Sequence, residues 1–299
     1  MALNNQSFVT LHTRLLRLGR RSLLVWLLLV ECLIALPVFA DDALVMAIFP
    51  RRNAAQTIEL FKPMATHLSN ELGREVKLVT AKDLPAFWKG IEQQTFDIVH
   101  VNQYDYIRAK KQFGYEVILK NEEFGESMIS GALISRKDSG INTLADLRGK
   151  KILFGGGPTA MISYIVNTNM LRDAGLKAGD YQVVFAKNPP NALIGMYHGL
   201  ADAAGVGDIA LKFPAIMKKV NLQELNIIQV SEKMEHLPWA VKEDMPLQLR
   251  DQIQEVLSNL QNTEDGNKAL AKALLTNLVP VEDEQYDRHR ELIERLADE

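Results

Sequence analysis

Cysteine is almost missing. Cys32 is the single one in 299 residues, and it lies in an apolar leader, so residues 41–299 hold none and no disulfide framework is available to them. Histidine is sparse beyond the leader: residues 67, 100, 198, 236 and 289 show no metal-like spacing, and no H-E-x-x-H occurs. A zinc hydrolase is therefore unsupported. No G-x-S-x-G elbow occurs either, nor any nucleophile–base pattern, which leaves an exported enzyme without a visible mechanism. Low-complexity linkers and internal repeats are absent. So is an excess of positive charge. The formal net charge is −3, and setting aside the leader's four arginines and one glutamate leaves 30 basic against 36 acidic residues, a net of −6. Nucleic acid is not the expected partner of such a surface. An anion site has to be local, because the overall field repels anions.

What is present begins with that leader. Arg14, Arg17, Arg20 and Arg21 precede the run SLLVWLLLV at 22–30, and Val38-Phe39-Ala40 stands before Asp41. This order of charged, apolar and small residues is that of a secretory signal peptide, cleaved after Ala40. Glu31 is not the small residue that a lipoprotein cysteine requires before it, so Cys32 is expected to leave with the leader. The competing reading takes residues 22–40 as an uncleaved membrane anchor, since 19 residues nearly span a bilayer.

From residue 43 onward, strand-like and helix-like patterns alternate. Strands are expected at 43–50, 75–81, 96–101, 115–120 and, longer and not leading straight into a helix, 127–137. Helices are expected at 57–73, 84–94 and 103–114. The same order restarts with a strand at 151–156, a helix at 159–176, a strand at 181–187, a helix at 189–199 and a strand at 201–207. Short strands at 226–230 and 237–244 and charged helices close the chain. Alternation of this kind argues for α/β architecture with mostly parallel sheets covered on both faces. Two such halves with a cleft between them, and chain crossings near 128–136 and 228–240, are the simplest arrangement. The expected division is a signal peptide at 1–40, one lobe from 41–130 and 237–299, and a second lobe from 131–236.

Residues 152–164, ILFGGGPTAMISY, place three glycines and a proline between a strand and a helix. Gly155-x-Gly157-x-x-Ala160 loosely matches the dinucleotide fingerprint, but the next strand ends Lys187-Asn188-Pro189, with no acid where the ribose partner belongs. No cofactor is expected. The remaining reading takes Gly157 as N-cap and Pro158 as the first helical residue. The N–H groups of Thr159, Ala160 and Met161 would then face an anion at the positive end of the helix, with the Thr159 hydroxyl beside them and Gly156 and Gly157 keeping the approach open. The alternative is that the glycines only turn the chain tightly.

The stretches EVKLVTAKDLPAFWKGIEQQTFDIVHVNQYDYI, SGALISRKDSGINTLADLRGKKILFGGGPTAMISYIVNTNMLRDAGL and NPPNALIGMYHGLADAAGV resemble the phosphonate/phosphite-binding family, over nearly all of residues 43–245. These are periplasmic solute-binding proteins of ATP-driven importers. The resemblance implies a two-lobed periplasmic-binding-protein fold with two hinge strands that closes on an oxyanion or organic acid. Phosphonate binders carry Ser-Thr-Ser at the helix start. Here the aligned residues are Thr159-Ala160-Met161, so one hydroxyl of three remains.

Ligands of α/β sheets sit beyond the carboxyl ends of strands, which nominates further residues. Arg51 and Arg52 follow the first strand and suit a carboxylate, phosphonate or sulfonate. Asn102, Gln103 and Tyr104 follow the third, where the resemblance places a contact; helix capping by Asn102 is the alternative. Asn188 and Asn191 flank a helix start, and capping is the better reading of Asn188. Asp208 either accepts from a ligand or caps the next helix. His100 reads as a packed core residue. The function expected is capture of a small anion by a monomeric, non-enzymatic periplasmic protein that serves a membrane ABC permease. The same fold feeding a sensor receptor or kinase is the alternative.

Overall fold

The structure, a computed structural model, describes residues 43–297. The signal-peptide and anchor readings fall on residues outside that range. Among the described residues no helix is long and apolar enough to cross a membrane.

The chain opens with β1 (Leu44–Ile48), a run of buried side chains. Asn53 then starts α1 (Ala54–Leu72) by accepting the Gln56 N–H on its side chain at 2.9 Å. Phe61, Met64, Ala65 and Leu68 recur at helical spacing and are buried, and Gly73 closes the helix at φ +60°. β2 (Val76–Thr80), α2 (Leu84–Glu92), β3 (Ile98–His100), α3 (Gln103–Phe113) and β4 (Tyr115–Glu122) follow. The chain then crosses through β5 (Met128–Ile129) into β6 (Gly131–Arg136) and β7 (Lys151–Gly155). Next come a π-helical turn at Met161–Val166, continuous with α4 (Asn167–Asp173), then β8 (Gln182–Ala186), α5 (Pro189–Tyr197), β9 (Ala203–Gly207), α6 (Pro214–Met217) and β10 (Leu225–Val230). It returns through β11 (Met234–Glu235) to β12 (Pro238–Lys242), α7 (Leu247–Ser258), α8 (Glu264–Ala273), β13 (Asn277–Pro280) and α9 (Asp287–Ala297).

Two sheets result, with strand orders β13-β4-β12-β3-β1-β2 and β10-β6-β9-β7-β8. They are mixed rather than mostly parallel. The ladders β1–β2, β1–β3, β7–β8 and β7–β9 are parallel, each built around helical crossovers. The ladders that involve β6, β10, β12 and β13 are antiparallel where those strands meet β4, β3, β6 or β9. β6 and β12 arrive from the other sheet through no crossover helix, so nothing imposes a parallel direction on them.

The expected long strand at 127–137 is broken at Ser130, because its neighbour Asp208 takes the Ser130 N–H on Oδ1 at 3.1 Å and returns its own N–H to Ser130 O at 2.9 Å. The two crossing segments pair with each other, Met234 opposite Ile129 and Glu235 opposite Met128. A buried ion pair between Lys120 and Glu235 pins the second crossing to β4. The six-stranded sheet buries one cluster on each face, around Trp239 and around Tyr106. Trp239 is fully buried and stacks on His100 at 4.4 Å, so His100 is a core residue whose ring also bonds Pro238 O at 3.1 Å. The five-stranded sheet likewise buries a cluster on each face.

Candidate functional site

The carboxyl ends of β1, β3 and β4 present Phe49–Arg52, Asn102–Gln103 and Glu123 to a cleft, and β7, β8 and β9 present Gly155–Gly157 with Thr159–Ser163, Lys187–Pro189, and Gly207 with Ile209 and Ala210 from the other sheet. His236 and Leu237, just ahead of β12, complete one side. The inner compartment measures about 170 Å³ and joins a wider one of about 690 Å³ through the shared residues Phe49, Arg51, Glu123, Asn188, Pro189 and Phe213.

The three glycines have three different reasons. A Cβ on Gly155 would lie 2.6 Å from Pro189 N, so the end of β7 touches the backbone that starts α5. Gly156 has φ +103°, which L side chains rarely adopt. Gly157 has neither constraint: its φ is not positive, and a Cβ there would meet nothing within 4 Å. The helix does not begin at Pro158. Ala160 N–H is spent on Gly157 O at 2.9 Å in a turn, and the helical segment starts at Met161, with both Tyr164 N and Ile165 N bonding Ala160 O. The register is widened by Asn167, whose fully buried amide donates to Ile162 O, Ser163 O and, on β9, Val206 O. Of the three N–H groups expected to face an anion, that of Ala160 is therefore taken; among the described residues those of Thr159, Met161, Ile162 and Ser163 bond no backbone oxygen, and all four residues line the cleft. Ser163 supplies a second hydroxyl beside Thr159, one that the alignment at 159–161 does not count.

Arg51 lies 3.8 Å from the buried carboxylate of Glu123 and lines both compartments. Arg52 lines the wider one. Burial, and then the neighbouring charge of Arg51, hold the Arg52 guanidinium below its ordinary pKa, with Glu123 acting against them. Among the described residues Arg52 forms no ion pair and no side-chain hydrogen bond. Asn121 Nδ2 donates to Glu123 Oε1 at 3.2 Å.

Of the residues nominated by sequence, Arg51, Asn102, Gln103, Gly156, Gly157, Thr159, Ala160, Met161 and Asn188 line the inner compartment, while Arg52 and Asn191 line the wider one. Several have their polar atoms committed elsewhere. Asn102 caps α3 through the Asp105 N–H at 2.8 Å, and Asn188 caps α5 through the Asn191 N–H at 3.0 Å. Gln103 Nε2 donates to Glu235 O at 3.0 Å. Asp208 Oδ1 accepts from both Ser130 N and Ile209 N. Asp208 is not among the lining residues. Neither is Tyr104, which packs against the apolar cluster that contains Ile129, Met161 and Leu292 and lies under the Arg108 guanidinium. Sequence reasoning passed over Glu123, His236, Ser163 and Phe213. For Glu123 the signal was available, since it follows β4 as Arg51 follows β1; the expected strand simply stopped two residues before the observed one.

The family model described as "ABC transporter, phosphonate, periplasmic substrate-binding protein" matches residues 46–286. The tetrathionate sensor histidine kinase TtrS of Salmonella typhimurium is 27% identical over 178 residues, 56% of this chain and 29% of the relative. The chain thus spans less than a third of that relative's length. Among solved structures, PhnD1 from Prochlorococcus marinus in complex with methylphosphonate aligns at TM-score 0.74 with 15% identity, over 86% of this chain and 98% of the other. A binding-protein component of an ABC phosphonate transporter from Pseudomonas aeruginosa aligns at TM-score 0.70 with 15% identity, over 84% and 85%. At such identities the likeness establishes the fold, the two-lobed α/β architecture of periplasmic binding proteins.

Proposed function

The chain belongs to the periplasmic substrate-binding proteins of ABC phosphonate transporters, and from that membership we propose that it captures a small organic anion in the cleft and delivers it to a membrane ABC permease. One observation carries the proposal: Arg51, Arg52 and the unpaired N–H groups of Met161–Ser163 converge on one cleft from two different sheets. The Arg52 guanidinium is half-buried, with no ion pair or side-chain hydrogen bond among the described residues, so it has lost hydration at a cost that no direct partner offsets. An oxyanion offsets that cost with charge-assisted hydrogen bonds, bidentate in the case of arginine. Phe49, Leu84, Ile129, Met161, Ile209 and Phe213 line the inner compartment, which suits an apolar substituent on the anion better than bare phosphate. The protein acts without chemistry, as a monomer, in the periplasm after cleavage at Ala40. The sensor alternative would use the same cleft, and no contact in it favours that role.

Calorimetric titration with methylphosphonate, ethanesulfonate, phosphate and tetrathionate tests the reading; tetrathionate is included because the sensor-kinase relative is named for it. At least one organic anion is expected to bind, with Arg52→Gln weakening it by roughly ten- to a hundredfold, the range for hydrogen bonds to charged groups. Binding that ignores Arg52→Gln, or no binding of any of the four at millimolar concentration, sinks the proposal.

A further inference from the structure

His236 is 1% exposed, lines the inner compartment and stands outside everything the sequence pointed to. Its Nδ1 accepts the Leu237 N–H at 2.7 Å, which leaves the ring proton on Nε2. That Nε2 has no hydrogen-bond partner among the described residues. A buried N–H without an acceptor costs about 1–3 kcal/mol, so its persistence in a cleft wall asks for a ligand. The segment that carries it is held from both sides. Tyr286 OH donates to His236 O at 2.9 Å, while Gln103 Nε2 bonds Glu235 O at 3.0 Å and His289 Nε2 lies 3.2 Å from the same oxygen. The Glu235 carboxylate is bound in turn by Lys120 and by Gln285 Nε2. The ring therefore has little freedom to turn its Nε2–H elsewhere.

We propose that His236 is a specificity-determining residue of the binding cleft: a fixed, uncharged hydrogen-bond donor that reads an acceptor oxygen of the anion and refuses a ligand that places an ammonium group there. The inference rests on the function proposed above. The charged groups whose fields act on the imidazole are Glu123, Arg51, Asp208 and Lys120. Asp208 and Lys120 are committed to Ser130 with Ile209 and to Glu235, respectively. Burial above all holds the His236 pKa down to about 4, so the ring stays neutral across the periplasmic pH range and cannot exchange its donor for a positive charge. An Nε2–H donor with Nδ1 already occupied has no lone pair to offer an ammonium. Glu123 does, and that carboxylate is the competing reader.

The test uses methylphosphonate and aminomethylphosphonate, which differ by one amino group, with the protein and its His236→Gln and His236→Leu variants. The ¹⁵N spectrum of the free protein should show His236 as the Nε2–H tautomer, and methylphosphonate should move that N–H downfield. His236→Leu should weaken methylphosphonate about ten- to a hundredfold, while His236→Gln, which keeps an N–H donor, should lose fivefold or less. The unaltered protein should prefer methylphosphonate, and His236→Gln should narrow that preference, because the amide also offers an acceptor. If methylphosphonate binds with the His236 N–H unmoved, or if aminomethylphosphonate binds more tightly, this inference falls while the anion site stands. If methylphosphonate does not bind the unaltered protein, this inference falls, and the anion site falls with it only when ethanesulfonate, phosphate and tetrathionate also fail to bind.

Discussion

Alanine placed singly at Gly155, Gly156 and Gly157 separates three demands that look identical in the sequence. At residue 155 the new Cβ would press on Pro189 Cα and lie 2.6 Å from Pro189 N, both of them backbone atoms. Ordinary van der Waals contact needs nearly 1 Å more, so the end of β7 and the start of α5 must move apart. Overpacking of this kind costs about 1–3 kcal/mol; at 2 kcal/mol the melting temperature of a chain this size falls by roughly 4–8 °C. At residue 156 the φ of +103° and the Ala160 Cβ at 3.0 Å make alanine strained, for about 1–2 kcal/mol. At residue 157 nothing lies within 4 Å, and loss of unfolded-state freedom should leave stability unchanged or raise it by about 0.4–1 kcal/mol. Gly157 lines the cleft, so a methyl added there should weaken an anion that approaches the N–H groups of Met161–Ser163. Thermal melts followed by circular dichroism, paired with titration of whichever anion binds, measure both effects. Equal destabilisation by Gly155→Ala and Gly157→Ala would refute the geometry. Full stability with normal binding in Gly157→Ala would refute the anion site at the helix start.

Three further outcomes are expected. Glu235→Gln strands the Lys120 ammonium, 7% exposed, and should cost about 3–5 kcal/mol, read as a lower urea midpoint at constant m; Lys120→Met combined with Glu235→Gln should recover most of it, and a double variant as weak as the single one would contradict the account. Stability should rise from pH 4 to pH 6.5, because burial holds His100 and His289 near 3 and His236 near 4, so the unfolded chain binds more protons in that window. Asp105, raised by burial to about 6, acts in the opposite sense between roughly pH 4 and 6, so Asp105→Asn should steepen the profile; melting temperatures that decline over this range would overturn the reasoning. A bound anion that bridges both sheets should compact the protein in small-angle scattering, and an unchanged radius at saturation would count against closure.

Local patterning made much of this protein legible. The buried runs of β1, β3 and β7, the helical spacing of Phe61, Met64 and Leu68, and the caps at Asn102 and Asn188 all depend on residues a few positions apart. The position of Arg51 and Arg52 just past a strand end also survives translation into the cleft, because the carboxyl end of a strand is a local coordinate. Other features depend on what a segment meets. The helix starts at Met161 rather than Pro158 because Gly157–Ala160 close a turn first, and its wide register is accompanied by a bond from Asn167 to Val206 on β9, 39 residues away. Gly155 is constrained by Pro189, which only the parallel pairing of β7 with β8 brings beside it. Glu123 and His236 face the same ligand space although 113 positions separate them, because β4 and β12 pair antiparallel and the crossings run side by side. Side-chain periodicity reports the face of an element that is buried. It carries no information on which distant backbone supplies the burial, and that is where sheet direction, helix register and the unpaired Nε2–H of His236 were decided.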